Sequence, residues 1–299
     1  MSYYTHCLRP TFTENIVKTL VKGESVNIYG SKGQGRERLL EDLQNCQFED
    51  MQMLLINMKN YAGSYQGFVE DLGRKLGQTS SKFELLLNEL ASTEKKTLLL
   101  LQNFDSLLNN SKVHQQYGVR FFDHLNSIKN RSNIALVCVT ENLHSNSVIY
   151  INRGVKRGSW LELKPEPLPP FDLDQIRAEL QRDFEGLYSH ELDKISNRVF
   201  AHHLPYQLLK YFGDRLNNKE DMDIAFGERL KKWQKRFDKE RSFFSYANLN
   251  RFIQRIKNFF GALEVREIFN PIIKMLKVVL YDFPSAIVDI VKQFTRRKK

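Results

Sequence analysis

Short apolar segments alternate with amphipathic segments along the first 165 residues of the chain. Apolar strand candidates lie at 25–29, 53–58, 96–104, 132–142 and 159–165. Apolar residues recur every three or four positions at 13–22, 35–43, 65–77, 81–92 and 117–130, which is the period of an amphipathic helix. Strands that alternate with helices form a parallel sheet that helices cover on both faces. The pattern therefore predicts an α/β domain.

Polar residues follow three of these strands at the point where each strand ends. They form clusters at 30–37, 102–105 and 140–142. The carboxyl ends of parallel strands meet at one edge of a sheet, and ligands of such sheets bind there. We therefore expect the three clusters to lie together, and their coincidence is stronger support for a site than any one of them.

The first cluster has the outline of a phosphate-binding loop. Gly30, Gly33 and Gly35 stand between a strand and a helix, and Gly30 and Gly35 have the spacing of such a loop. Glycines allow successive backbone N–H groups to face one anion, and the positive end of the following helix favours that anion. The simpler alternative is a glycine-rich turn from strand to helix that binds no ligand.

Two positions of this loop depart from the usual residues. Arg36 stands where a Lys normally holds the β- and γ-phosphates, and Glu37 stands where a Ser or Thr hydroxyl normally holds Mg²⁺. Arg36 keeps the positive charge on a larger planar group, whereas the Glu37 carboxylate would repel phosphate oxygens. Lys32 offers a second cation inside the loop.

Two segments resemble the nucleotide-binding motifs of AAA+ and STAND-type P-loop ATPases. "NIYGSKGQGRERLL" resembles their Walker A segment, and "TLLLLQNFDSLL" resembles their Walker B strand. In the second resemblance, Gln102 takes the position of the Asp that organises Mg²⁺. Asn103 takes the position of the Glu that activates water, and Asp105 is the acid that remains.

Two further segments are similar to the same family. "IALVCVTEN" is similar to the strand that ends in a polar sensor residue, a role that Thr140 or Asn142 would fill. "VFAHHLPYQLLKYFGDRL" resembles the lid-helix motif of STAND proteins, with His203 in place of Gly and with Pro205 retained. The resemblance covers roughly residues 10–220. It implies a P-loop NTPase-like parallel sheet with helices on both faces, then an α-helical lid, in which Pro205 helps to close the lid over the base.

The departures from the family motifs all affect hydrolysis. Phosphoryl transfer depends on a positioned metal, a cation that holds phosphate and an oriented water. The amides of Gln102 and Asn103 can neither take up a proton nor neutralise Mg²⁺. The resemblance therefore implies a pseudo-ATPase that binds ATP or ADP, has weak or no hydrolysis and does not depend on Mg²⁺, with no catalytic residue and no metal ligand assigned.

Two alternatives stay open at this point. One is an active ATP hydrolase that uses Glu37 or Asp105 in an unconventional way. The other is a nucleotide-free adaptor that acts through its partners. In the main interpretation the protein is a regulatory or scaffold interaction protein, with a protein partner or a second copy of itself and with a role on nucleic acid.

The excess positive charge lies in the last quarter of the chain. Residues 228–299 contain 18 Lys and Arg against 7 Asp and Glu, and the net charge of the whole chain is +10. Basic residues alternate with aromatic residues over 229–260, which suits binding to DNA or another nucleic acid. Because the aromatic residues also fall at helical intervals, packing in a helical core is the favoured alternative for them.

The end of the chain predicts an amphipathic basic helix. Within 262–294 an apolar stripe lies opposite Lys274 and Lys277. Such a helix suits an anionic membrane surface or the groove of a partner protein, and packing on the same chain is the ordinary alternative.

Composition and proline content complete the prediction. The four prolines of 164–175 predict a linker, so we expect an α/β domain at 1–164, a helical lid at 165–227 and a basic α-helical C-terminal module at 228–299. Cys7, Cys46 and Cys138 show no pairing or metal-ligand spacing, which predicts reduced thiols in the cytoplasm. We expect no secretory signal and no transmembrane helix.

Overall fold

A computed structural model describes residues 4, 6–46, 51–80, 82–151 and 155–243 of the 299-residue chain. The helices of these residues are α1 Pro10–Val21, α2 Arg36–Asn45, α3 Tyr65–Leu76, α4 Phe83–Ser92, α5 Val119–Ser127, α6 Leu173–Asp183, α7 Ser189–Phe200, α8 Pro205–Asn217 and α9 Phe226–Phe243. The strands are β1 Val26–Tyr29, β2 Met51–Asn57, β3 Lys96–Gln102, β4 Ile134–Thr140, β5 Val148–Ile151, β6 Val155–Gly158 and β7 Lys164–Pro167.

Five strands form one parallel sheet in the order β2-β3-β4-β1-β7. The strands β5 and β6 form a separate antiparallel pair. Because β1, β3 and β4 all run in the same direction, their carboxyl ends lie at the same edge of the sheet. The predicted α/β fold with a parallel sheet is confirmed.

Alternate residues of the central strands face two separate cores. Leu98 and Leu100 of β3 pack in one core with residues of α1 and α2. Leu99 and Leu101 pack in the other core with residues of α3, α4 and α5. Side chains of a strand point to opposite faces in turn, so a continuous apolar run such as 98–101 is the sequence of a strand that is buried on both sides. The helices therefore cover both faces, as predicted.

The edge strand β7 lies in the segment that the sequence predicts as a linker. Lys164 N donates to Ser25 O at 3.0 Å and Leu168 N donates to Tyr29 O at 2.7 Å, which joins β7 to β1. Pro165 and Pro167 lie between these donors, where an N–H group would face away from β1. Proline is tolerated at such positions on an edge strand. The predicted strand at 159–165 is therefore shifted to 164–167, and the linker prediction is wrong for these four residues.

Helix α1 begins earlier than the sequence predicts. It starts at Pro10 rather than after Thr13, which is a buried residue within the helix. Proline suits the first position of a helix because its fixed φ is helical and its missing N–H has no partner there.

The chain divides into two compact units between Lys210 and Tyr211. In the described part of the second unit, Trp233 and Phe237 of α9 are 0% and 3% exposed. The Trp233 ring lies 6.3 Å from that of Phe212, between centroids, and the Phe237 ring lies 5.3 Å from that of Tyr211. These aromatic residues therefore form a helical core, the favoured alternative of the sequence analysis.

Some predictions fall on other parts of the chain. The amphipathic basic helix at 262–294 and residues 244–260 of the basic segment lie outside the described residues. Among the residues described, no helix has the length and apolarity that crossing a bilayer requires. The division into 1–164, 165–227 and 228–299 stays a prediction.

Candidate functional site

The three polar clusters meet at the carboxyl edge of the sheet. Gly30 N donates to Thr140 O at 3.2 Å, which joins the first cluster to the third. Arg36 Nη1 lies 3.5 Å from Asp105 Oδ2, which joins the first to the second. Glu141 N donates to Asp105 Oδ1 at 2.9 Å and to Asp105 Oδ2 at 2.8 Å. The expected coincidence of the clusters is therefore confirmed.

The glycine loop connects β1 to α2 in a conformation that needs glycine. Gly33 and Gly35 have φ angles of +86° and +76°, in the left-handed region that side chains with a Cβ rarely adopt. Gly35 is the N-cap residue of α2, and among the described residues no side chain caps this helix end. The first N–H groups of α2 are therefore not bound by a capping side chain, and the positive end of the helix dipole lies at the loop.

The segment that precedes α8 packs directly on this loop. Tyr206 N donates to Gly33 O at 2.9 Å. A Cβ atom on Gly33 would lie 2.8 Å from the Leu204 Cα, and one on Gly35 would lie 3.0 Å from Phe171 Cζ. The lid motif predicted from the sequence is thus in contact with the glycine loop, and part of each glycine's surface is already covered.

Pro205 starts α8 at this contact. His202 Nδ1 accepts a hydrogen bond from Leu204 N at 3.0 Å, and the rings of His202 and His203 lie 4.3 Å apart between centroids. The His202 side chain therefore helps to hold the backbone turn that leads into α8.

A buried arginine in the N-terminal segment donates a hydrogen bond to the glycine loop. Arg9 is 2% exposed, and its guanidinium donates to Gln34 O at 2.7 Å and to Pro169 O at 2.9 Å. The same group lies 3.9 Å from the centroid of the Phe171 ring, a cation–π contact. Burial lowers the pKa of Arg9 to about 10, so the side chain stays charged at neutral pH. No local sequence pattern identifies this residue, because its partners are distant in the chain.

Asp105, the carboxylate of the cluster that follows β3, already has two partners, the Arg36 guanidinium and the N–H group of Glu141. Burial raises the pKa of Asp105, whereas the Glu141 N–H group and the Arg36 guanidinium favour the charged form. Because Asp105 accepts from Glu141 through both oxygens, its lone pairs are partly used. Arg36, at the position of the phosphate-binding Lys, is therefore paired with an acid rather than isolated.

Gln102 and Asn103, the two amides at the end of β3, both lie next to Asn57 of β2. Gln102 is the last residue of β3 and is aligned with Asn57 of β2. Asn103 has a φ of 52°, which Asn tolerates better than most residues, and its Nδ2 donates to Asn57 Oδ1 at 3.0 Å. Lys32 and Glu37 are exposed at the rim of the loop, and Glu37 lies in the first turn of α2, where a carboxylate is favourable.

A buried asparagine that the sequence analysis missed organises the end of β4. Asn27 of β1 is 0% exposed and donates to Thr140 Oγ1 at 2.8 Å. Asn27 Oδ1 accepts from His144 N at 3.0 Å. The Thr140 hydroxyl is therefore committed to the interior, whereas Asn142, the other sensor candidate, is exposed. The only sequence signal was a polar residue inside the apolar run "VNIY".

The stability of the protein is expected to fall on acidification because of His144. This residue is 4% exposed, and burial lowers its pKa, with a smaller opposing effect from a backbone hydrogen bond to Leu163. The unfolded chain, with an ordinary pKa of about 6.5, then binds more protons than the folded one, so the contribution is fully present above this pH and is lost as the pH falls from it through the lower pKa of the folded state.

Urea unfolding of the wild type and of His144→Gln, at about pH 7.5 and about pH 5.5, measures this contribution. The free energy of unfolding should fall more steeply on acidification in the wild type. Equal pH dependence in the two proteins would show that His144 plays no part.

A buried charge cluster lies on the other side of α2. Arg38 Nε lies 3.0 Å from Asp42 Oδ1, and Arg38 Nη2 lies 3.3 Å from Glu179 Oε1. Asp42 and Glu179 are 1% and 7% exposed, and burial raises the pKa of both carboxyl groups. Glu179 also pairs with Arg182. The cluster fixes α6 to the helix that follows the glycine loop.

Comparison with known proteins rests on structure. No model of a known protein family matches the sequence, and no curated protein matches it. The chain is similar to the structure of Drosophila ORC bound to DNA, with 13% identity and a TM-score of 0.53 over 97% of this chain and 79% of that one. It is also similar to a Walker-type ATPase of Pyrococcus abyssi, with 12% identity and a TM-score of 0.57 over 83% of this chain and 75% of that one.

A third similar structure is the Aeropyrum pernix ORC1 protein in complex with DNA. The identity is 15% and the TM-score 0.52, over 78% of this chain and 66% of that one, a little less than two thirds of its length. At these identities the likeness shows the fold alone, which is an α/β P-loop NTPase-like fold.

Proposed function

We propose that this protein binds ATP or ADP at the glycine loop with little or no hydrolysis and acts as a regulatory interaction protein on DNA. The observation that carries the proposal is the meeting of the three clusters around a loop whose glycines have positive φ angles. This arrangement is the one in which backbone N–H groups and a helix N-terminus bind phosphate.

Phosphate binding is supported by the N-terminus of α2, which has no capping side chain among the described residues. The helix begins at Arg36 without a capping side chain in the described part of the chain, so an anion is the natural partner of its first N–H groups. Arg36 would exchange part of its contact with Asp105 for phosphate oxygens. An arginine can form two parallel hydrogen bonds to phosphate, which a lysine cannot.

Slow ATP hydrolysis is expected from the side chains that are available to hold Mg²⁺ at the carboxyl edge of the sheet. Mg²⁺ prefers several oxygen ligands in octahedral geometry, usually with one or two free carboxylates. Gln102 and Asn103 are amides, and both carboxylate oxygens of Asp105 accept from the N–H group of Glu141. These residues do not fit a magnesium site, so we derive no hydrolytic step through the metal.

Titration calorimetry and thermal unfolding with ATP and ADP, with and without Mg²⁺, test the nucleotide proposal. We expect binding that is largely independent of Mg²⁺ and is weakened about tenfold or more by Arg36→Ala, the loss of roughly one charged contact. Arg120→Ala is the matched control, because Arg120 is exposed on α5. It should bind as the wild type does.

Two results would overturn the proposal in different directions. If millimolar ATP or ADP does not raise the melting temperature, the protein binds no nucleotide. If Mg²⁺-dependent turnover is measured and Arg36→Ala abolishes it, the protein is an active hydrolase.

A nucleotide-free adaptor is the second candidate, and one observation favours it. Leu204 and Tyr206 already cover Gly33 and Gly35, so packing of the lid segment gives a reason for these glycines that needs no ligand. The calorimetric experiment separates the two candidates, because only the first predicts heat on addition of nucleotide.

DNA is the proposed partner of the basic second unit. Lys231, Lys235 and Lys239 are exposed on α9 at intervals of four residues, so they lie on one face of the helix, whereas Trp233 and Phe237 face the core. Two of the similar structures are proteins in complex with DNA. Lysines on one face can neutralise successive phosphates without reading bases.

Replacing all three lysines with alanine is expected to weaken DNA binding equally for all sequences. Each lost phosphate contact reduces the slope of log K against log salt by about 0.9, so the slope should fall by roughly 2–3. Fluorescence anisotropy of a labelled duplex over a range of salt concentrations measures the slope. The triple variant of Lys22, Lys75 and Lys95, which are exposed in the first unit, removes the same charge and should leave the slope unchanged. An equal loss in both variants would indicate a general charge effect and no interface on α9.

A further inference from the structure

Three metal-ligating side chains meet where the N-terminal segment contacts the end of α2. One ligand atom from each of His6, Cys7 and Cys46 lies within 4.8 Å of the other two. Cys7 Sγ is 3.5 Å from His6 Nε2. Cys7 and Cys46 are 4% and 8% exposed, whereas His6 is half-buried. The sequence shows no metal-ligand spacing because Cys46 is distant from the other two residues along the chain.

The backbone around these side chains is held by several contacts. The carbonyl of His6 accepts from Arg182 Nη1 at 2.7 Å and from Arg38 Nη2 at 3.1 Å. Leu8 N donates to Asp42 Oδ2 at 2.9 Å. Cys46 ends α2, and its N–H group donates to the carbonyl of Asp42 at 3.1 Å. These contacts fix both ends of the cluster to the same helix, so the three ligands are held near one another before any ion binds.

We propose that His6, Cys7 and Cys46 form a binding site for a soft metal ion, with Zn²⁺ as the best match. Zinc takes thiolate and imidazole ligands, with Zn–S distances of about 2.3 Å and Zn–N distances of about 2.0 Å, which places tetrahedral ligand atoms about 3.5–3.8 Å apart. The cluster needs a contraction of at most about 1.0–1.3 Å from its widest separation to reach this geometry. His6 is half-buried, so one of the three ligands is in part exposed to solvent.

The charge balance of the proposed site is simple. Binding releases one proton from each thiol to solvent, and the two thiolates neutralise the charge of Zn²⁺. The imidazole of His6 is the third ligand, and water completes the coordination. A disulfide between Cys7 and Cys46 is the competing chemistry, but it would give no role to His6, which lies in contact with Cys7.

The site would join the N-terminal segment to the glycine loop. Residues 6–9 run from the proposed ligands to Arg9, whose guanidinium holds the carbonyl of Gln34 in the loop. A bound ion would restrain this segment against α2. The inference does not depend on nucleotide binding, because it rests on the ligand atoms alone.

Cobalt and zinc titrations of the full chain test the proposal. Protein stripped with a chelator under reducing conditions is titrated with Co²⁺, whose thiolate charge-transfer absorption reports sulfur ligands, and Zn²⁺ is then added as competitor. We expect one Co²⁺ per chain, displacement by Zn²⁺, and loss of the absorption in Cys7→Ser and Cys46→Ser. His6→Ala should weaken binding by about tenfold or more. Cys138→Ala is the matched control, since Cys138 is buried in β4, and it should bind as the wild type does.

A second measurement keeps the result independent of folding defects. Zn²⁺ should raise the melting temperature of the wild type and of Cys138→Ala, and should leave that of Cys46→Ser unchanged. The proposal is overturned if the wild type gives no charge-transfer absorption, if the absorption survives Cys46→Ser, or if protein prepared without oxygen contains a Cys7–Cys46 disulfide.

Discussion

Gly33→Ala is expected to lower the free energy of unfolding by about 2–5 kcal/mol. The φ angle of Gly33 is +86°, and a residue with a Cβ is strained in this region by about 1–2 kcal/mol. The new methyl group would also lie 2.8 Å from the Leu204 Cα, a backbone atom that cannot rotate away. Overpacking of this kind typically costs about 1–3 kcal/mol. Urea unfolding of the variant and the wild type measures the difference.

Gly63→Ala is the matched control for this prediction. A Cβ on Gly63 would meet nothing within 4 Å, and its φ is not positive. The control should change stability by no more than about 0.5 kcal/mol. If Gly33→Ala is as harmless as the control, the segment before α8 does not pack on the loop in solution.

Phe121→Ala is expected to cost about 3–5 kcal/mol of unfolding free energy. Phe121 of α5 is 1% exposed and stands at the centre of an aromatic cluster. Its ring centroid lies 4.9 Å from that of Tyr117, 5.4 Å from that of Phe83 and 5.8 Å from that of Phe68. Truncation removes these contacts and leaves a cavity, because the surrounding rings can collapse only in part.

Leu85→Ala is the control for the aromatic cluster. Leu85 lies on α4 like Phe83, but it is 51% exposed, so its truncation should cost far less. Chemical unfolding of both variants and the wild type gives the comparison. Similar losses for Leu85 and Phe121 would contradict the assignment of Phe121 to the core.

The sequence predicts the central sheet well because its strands are buried on both faces. A run such as 98–101 has no polar residue, and the polar residues that flank it, Lys96 before it and Gln102 after it, mark where the strand leaves the core. The β7 strand could not be predicted in the same way. Its alternating prolines indicate a linker by every local rule, and they are acceptable in a sheet only because β7 is an edge strand and their nitrogens face away from β1.

The sequence predicts the part of the candidate site that lies at the ends of the strands. The contacts between Arg36, Asp105 and Glu141 follow from parallel strand topology, which periodicity alone indicates. Arg9 and the cluster of Cys7 and Cys46 depend on the path of the N-terminal segment. That path is set by packing between residues far apart in the chain, and no spacing in the sequence encodes it.

The strand order also affects how a nascent chain folds on the ribosome. Of the strands that the structure describes, β1 is made before all the others, so both of its neighbours in the sheet come later, and Val26 is aligned with Val137. At about 5–20 residues per second, synthesis of the intervening residues takes roughly 5–20 s. Throughout this interval neither native partner strand of β1 has been made, so the apolar segment 26–29 cannot enter its sheet until β4 has been translated.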